Sequence, residues 1–142
     1  MTDRRPPVSD GSRMIAEMTP ELLPGDYVFC TIGAPEDAAA PIGAALAIFR
    51  EEEGLSLILP KDRAAAEGFE TDAVMRCIRL NVHSALDGVG LTAAVAGALA
   101  GAGIACNMVA AFHHDHAFVP GDRAEEALAL LLALQAGSAA TP

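Results

Sequence analysis

Tryptophan is absent from these 142 residues, tyrosine occurs once and phenylalanine five times. With aromatics at 4%, large rings cannot organise the core, and Ala and Leu must fill it through close approach of the elements. Such a core leaves a small lone domain marginal, and association with a second copy is the natural remedy. Positive charge is scarce too: nine Lys and Arg face nineteen Asp and Glu, a formal charge of −10. A duplex or an anionic bilayer needs a basic footprint, so neither nucleic acid nor a membrane surface is expected as a partner. The three cysteines, Cys30, Cys77 and Cys106, form no CxxC pair and sit in apolar runs, which reads as reduced, buried thiols. No apolar stretch follows Arg4 and Arg5, so no secretory leader is read and a cytoplasmic location is expected. One long uncharged run exists, from Gly88 to Phe112, but the Gly101-Ala102-Gly103 break and Asn107 make it a soluble core segment rather than a span.

What is present is regular. Residues 1–8 are Pro-rich and polar and are expected to be disordered. Ser9 or Asp10 caps a short helix carrying Met14, Ile15 and Met18, which ends at Thr19-Pro20. Pro24-Gly25-Asp26 is turn chemistry ahead of a strand over Tyr27–Ile32, and Ala34–Pro41 reads as a loop. A hairpin joins Ala45–Arg50 to Leu55–Leu59, with Gly54 available for a positive-φ position, and a short helix over Lys61–Glu67 stops at Gly68. Ala73–Val82 alternates as a strand. Leu91, Val95, Leu99 and Ala102 recur at helical spacing over Gly90–Ala102. Two strands, Ile104–Phe112 and Ala117–Pro120, precede a last helix over Arg123–Gln135 that presents Leu128, Leu131, Leu132 and Leu134, and residues 137–142 form a frayed tail.

From Ala73 onward the order is β-α-β-β-α, one strand short of a βαββαβ sandwich. Upstream the order is α-β-β-β-α. The chain therefore reads as α+β, with two related half-domains over 9–72 and 73–136, one of which borrows a strand. Each is an antiparallel, ferredoxin-like sheet with helices on one face.

Chemistry concentrates in two places. Between Asp87 and Leu91, glycines let the backbone approach a ligand, and free N–H groups at the helix start favour an anion. The same residues also read as an ordinary helix entry capped by Asp87. His113-His114-Asp115-His116 puts His114 and His116 on one face of an extended chain, a spacing that can ligate Zn or Ni. It also reads as a polar connection whose rings bond backbone or water. Ser84, His83 and Asp87 lie too close together on one segment to orient and activate one another as a hydrolytic triad, and no GxSxG elbow occurs. Arg50 and Glu51–Glu53 read as a solvated hairpin tip.

These segments carry a resemblance. Asp87-Gly88-Val89-Gly90-Leu91 is similar to the Asp-x-x-Gly turn and apolar helix start of ACT domains, though the proline usual in that turn is missing, and Ala102-Gly103-Ile104 matches their helix-to-strand passage. The chain as a whole resembles short bacterial tandem ACT-domain proteins. The shared segments are Tyr27–Thr31, Phe49–Leu55, Val82–Leu86, His114–His116 and Phe118–Pro120. The resemblance implies regulatory binding of a small molecule, most naturally an amino acid. It also implies oligomer formation and supplies no reaction; edge strands with Ala-rich helices suggest side-by-side pairing into a homodimer, and neither catalysis nor a cofactor is expected. It marks Asp87, Gly88, Val89, Gly90, Leu91 and His114 as ligand-binding, with the ligand filling a cleft between half-domains or subunits. Two other classes compete: a metal-binding protein using His114 and His116, and a structural module acting through an unknown protein partner.

Overall fold

The computed structural model describes residues 6–33 and 39–139. They fall into two compact units, Pro24–Arg76 and a second assembled from Met1–Leu23 with Cys77–Pro142. The disorder expected at residues 1–5, the part of the 34–41 loop over 34–38, and the tail over 140–142 lie outside the described residues.

The Pro24–Arg76 unit contains β2 (Tyr27–Ile32), a short helix α2 (Ala39–Ile42), β3 (Ala47–Glu51), β4 (Gly54–Pro60) and α3 (Lys61–Ala66). β4 pairs antiparallel with β2 on one side and β3 on the other, and Met75 pairs with Tyr27 at the far side of β2. Alternation sorts the faces: Val28, Ile32, Leu55, Leu57 and Leu59 are buried together with Ala64 of α3. On the opposite face Phe29 and Phe49 remain 49% and 71% exposed. The hairpin turn forms as the sequence predicts. Gly54 takes φ +142, and a Cβ there would overlap the Ile32 carbonyl oxygen.

The other unit is built from α1 (Gly11–Ala16), β1 (Pro20–Leu22), β5 (Met75–Leu80, of which Cys77–Leu80 belong here), α4 (Leu91–Gly101), β6 (Asn107–Ala110), β7 (Asp115–Pro120) and α5 (Ala124–Ala139). Asp10 caps α1, its Oδ1 accepting from the Arg13 amide at 2.9 Å. Strand order in this unit is β1-β5-β7-β6. The strand missing after the last helix is supplied by β1, antiparallel to β5 with Pro20 opposite Leu80 and Leu22 opposite Ile78. This is the antiparallel α+β, ferredoxin-like, strand-sharing fold read from the sequence; β1 itself was not read as a strand, because three residues after Thr19-Pro20 carry no period. Helices cover one face, and Met14, Met18, Ile78, Leu80, Leu91, Val95, Leu99, Val119 and Leu131 close the core.

Helix α4 ends on Gly103 at φ +71, with the Gly103 and Ile104 amides donating back to Ala100 and Leu99. Arg123 reinforces this end, donating to the carbonyls of Gly103 and Ala102 at 2.9 and 3.0 Å. Two sequence readings change here. Helix α5 runs on to Ala139 instead of stopping at Gln135, helped by Ser138 donating to the Ser12 carbonyl. Its buried stripe is Ala124, Ala127 and Leu131 with Leu128, Leu130 and Leu134 packed alongside, while Leu132 stays 47% exposed.

Candidate functional site: the glycine turn at the head of α4

After Leu80 the chain leaves the sheet but is held down. The Asn81 and Val82 amides donate to the Met18 carbonyl. Ser84 forms an isolated parallel bridge with Val8, in which the Val8 amide donates to the His83 carbonyl and the Ala85 amide to the Val8 carbonyl, both at 2.7 Å. Val8, read from sequence as disordered, is therefore tied to the candidate site. The turn then closes on itself through the Gly88 amide and the Ala85 carbonyl at 3.0 Å.

Gly90 stands at the N-cap of α4 with φ +111 in the left-handed region, and no side chain caps the helix. Asp87 thus does not occupy the capping role open to it in the sequence. The first-turn N–H groups of an uncapped eleven-residue helix carry a partial positive charge facing outward. Gly88 packs tightly for another reason: a Cβ there would lie 2.9 Å from both Sδ and Cε of Met14. Gly11 likewise passes so close to the Val89 carbonyl that a Cβ would overlap it. α1 therefore sets where the turn sits.

Beside the turn is a small cleft of about 140 Å³ lined by Met14, Ser84, Leu86, Gly88, Leu91 and Asp115, among others. Its polar pair is Ser84 and Asp115, Oγ donating to Oδ2 at 2.9 Å. That bond directs the Ser84 hydroxyl to Asp115. Of the expected residues, Gly88, Gly90 and Leu91 line the cleft. Asp87 and Val89 stand at the exposed rim, Val89 at 81%. The Gly88 amide is already engaged, which leaves those of Val89, Gly90 and Leu91 as the outward donors.

His114 lies apart from that cleft, in a cluster of rings. His113 stacks on His83 with centroids 5.5 Å apart and planes 10° from parallel, Phe112 tilts onto His113 at 5.0 Å, and His114 sits 6.3 Å from His113. Burial, then Arg79 and the neighbouring rings, hold His114 below the usual imidazole range. Burial does the same to His116, with Arg79 adding and a hydrogen bond with the Val109 backbone opposing. Among the described residues no three His, Cys, Asp or Glu side chains converge on a point where a metal could sit. Sequence reasoning missed Met14 and Thr92 as cleft residues and gave Asp115 no part in this cleft. Met14 carries no chemical signal, and its 74-residue separation from Gly88 is closed only by folding. No helix among the described residues is long and apolar enough to cross a membrane.

Comparison with known proteins converges on one family. The ACT domain family matches twice, over residues 7–76 and 73–133. No curated protein matches the chain. A Vibrio cholerae protein of unknown function, described as a possible transport protein, is 46% identical over 84% of this chain and 92% of its own, with a TM-score of 0.74. An Agrobacterium tumefaciens protein is 25% identical over 82% of this chain and 87% of its own, with a TM-score of 0.62. The regulatory subunit of aspartate kinase from Thermus flavus shares the fold at 15% identity, covering 81% and 95% of the two chains with a TM-score of 0.57. Two family matches end to end, on a strand-sharing α+β fold, place this chain in the ACT-domain family as a tandem ACT protein.

Proposed function

We propose that this chain is a non-catalytic regulatory protein that binds a small metabolite, an amino acid, at the glycine turn heading α4. The observation that carries the reading is the uncapped start of α4. Gly90 at φ +111 strips the N-cap of a side chain, and outward amides stand next to the Ser84–Asp115 pair. A carboxylate fits the amides; Asp87 or Asp115 takes the ammonium. A cleft of about 140 Å³ admits only the head of such a molecule, since small-molecule pockets typically enclose about 300–1,000 Å³. The side chain would then be received by a second copy. Membership of the ACT family supports the regulatory role.

The finer parts of the reading are a homodimer in the cytoplasm, half-domains bounded at 9–72 and 73–136, and His114 contacting ligand in the assembled dimer. Ligand would act by favouring one packing over another. A thermal-shift screen against the twenty amino acids and divalent metals tests the whole. A ligand at a hundred times its dissociation constant adds roughly 2.7 kcal/mol. Gly90→Val, whose Cβ would meet the Gly11 Cα only at an ordinary 3.9 Å but is strained at positive φ, should remove that shift while leaving a cooperative melt. A metal-only response abolished by the His114→Ala/His116→Ala double variant would replace this reading with the metal-binding one.

A further inference from the structure

A larger cavity lies elsewhere in the same unit, on the far side of α1. It encloses about 550 Å³, bounded by residues 6–8, by α1, by the Asn81–His83 segment and by Gln135 of α5. That volume falls within the range of small-molecule sites. Apolar walls come from Pro7, Val8 and Val82, and the polar groups are Arg13, Glu17, Thr19, Asn81, His83 and Gln135.

Several features of this wall add little to stability or cost it. Arg13 and Glu17 form an ion pair at 3.0 Å, both side chains about half exposed or more, at 65% and 46%. Such exposed i,i+4 pairs add little to stability, and less with the base N-terminal to the acid, as here. Glu17 also occupies the C-cap of α1, where the helix end repels a carboxylate. Thr19 is the one non-glycine among the described residues at positive φ, +42. For a β-branched residue this is a strained position, of the kind that clusters at ligand sites. Thr19 is held there by Asn81, whose Nδ2 donates to the Thr19 carbonyl at 3.0 Å. Gln135 donates through Nε2 to the Ala16 carbonyl at 3.0 Å, which fixes its amide and leaves Oε1 as an acceptor.

We propose that this cavity is a second small-molecule site, separate from the glycine turn, and that it takes a small zwitterion bearing both a carboxylate and an ammonium. The guanidinium of Arg13 receives the carboxylate, and Glu17 with the Gln135 carbonyl oxygen receives the ammonium. Because the Arg13–Glu17 pair is weak, a ligand carrying both charges replaces it at little cost. The inference does not depend on the function proposed for the turn.

The test is an amide-resolved NMR titration of the full chain with the twenty amino acids and with glycyl dipeptides, each to 10 mM. Expected are saturable shifts at Asn81, His83 and the Gln135 side-chain amide. Affinity should fall at least tenfold in Arg13→Gln/Glu17→Gln, and fall likewise for N-acetylated or amidated forms of the same probe. The Gly90→Val variant should leave these shifts unchanged. Shifts confined to residues 85–92 would overturn this site while leaving the turn intact as a site. So would saturation at Asn81 and Gln135 that ignores the double variant, or no shift with any probe.

Discussion

Replacing Met14 by Ala and Gly88 by Ala, singly and together, tests whether α1 holds the glycine turn in place. Met14 is 1% exposed, and truncating a buried Met to Ala costs about 2–5 kcal/mol through lost transfer energy and the cavity left behind. In Gly88→Ala the new Cβ would stand 2.9 Å from Met14 Sδ and Cε and 3.1 Å from the Ala85 carbonyl oxygen. The Met end is flexible and can yield, so this variant should lose about 1 kcal/mol, the low end of overpacking. Together the two changes offset each other: the added methyl enters the space that Met14 leaves. The double variant should therefore be more stable than the sum of the singles predicts by about 0.5–1.5 kcal/mol, within the range seen for residues in contact. With no Trp and one Tyr, urea unfolding is best followed by far-UV circular dichroism, at unchanged m-value. Additivity within about 0.3–0.5 kcal/mol would refute the contact, and with it the idea that the N-terminal helix positions the turn.

Four further outcomes follow from single sites. Gly54→Ala combines positive φ with overlap on the Ile32 carbonyl; it should cost about 2–4 kcal/mol by urea unfolding, whereas Gly43→Ala, which meets nothing within 4 Å, should cost under about 0.5 kcal/mol. Arg123→Ala removes two charge-assisted bonds to the last carbonyls around α4 and should cost about 1.5–3 kcal/mol; Arg123→Lys, lacking the fork, should recover less than half. Burial pushes the Cys77 thiol up to about 11, so at pH 8 it should resist Ellman's reagent in the native protein and react once urea unfolds it. Because burial holds His114 and His116 below the ordinary imidazole value of 6.5, the unfolded chain binds more protons than the folded one. Their contribution is fully present above pH 6.5 and is lost as pH falls through the lowered values. The urea midpoint should drop between pH 7 and 5, and a His114→Asn/His116→Asn variant should flatten that slope.

Periodicity made much of the fold legible. Alternation over Tyr27–Ile32 and Leu55–Leu59 sets which side chains face the helices, and the Leu91–Val95–Leu99 spacing marks α4. Glycines at φ +142, +84 and +71 punctuate turns and helix ends where the chain cannot carry a Cβ at low cost. The count of elements after Ala73 even announces a missing strand, because a βαββα order leaves one place in the sheet unpaired. Local pattern could not say what fills it. Pro20–Leu22 is too short for any period, and its strand character exists only through the bonds β5 offers it.

The candidate site divides in the same way. Asp87–Leu91 and the histidines announce themselves by residue type, but type does not carry distance. Tertiary structure alone brings Met14 beneath Gly88, ties Val8 to Ser84 and sets Asp115 against Ser84. It also separates His114 from the turn cleft and closes a cavity around Arg13, Glu17 and Gln135. By itself the sequence determined the periods and the breaks, since these depend on neighbours one to four residues apart. Which elements meet was decided only when a chain poor in large side chains buried Met14, Met18 and Leu131 in one core. That burial is a property of the whole unit and is written at no single position.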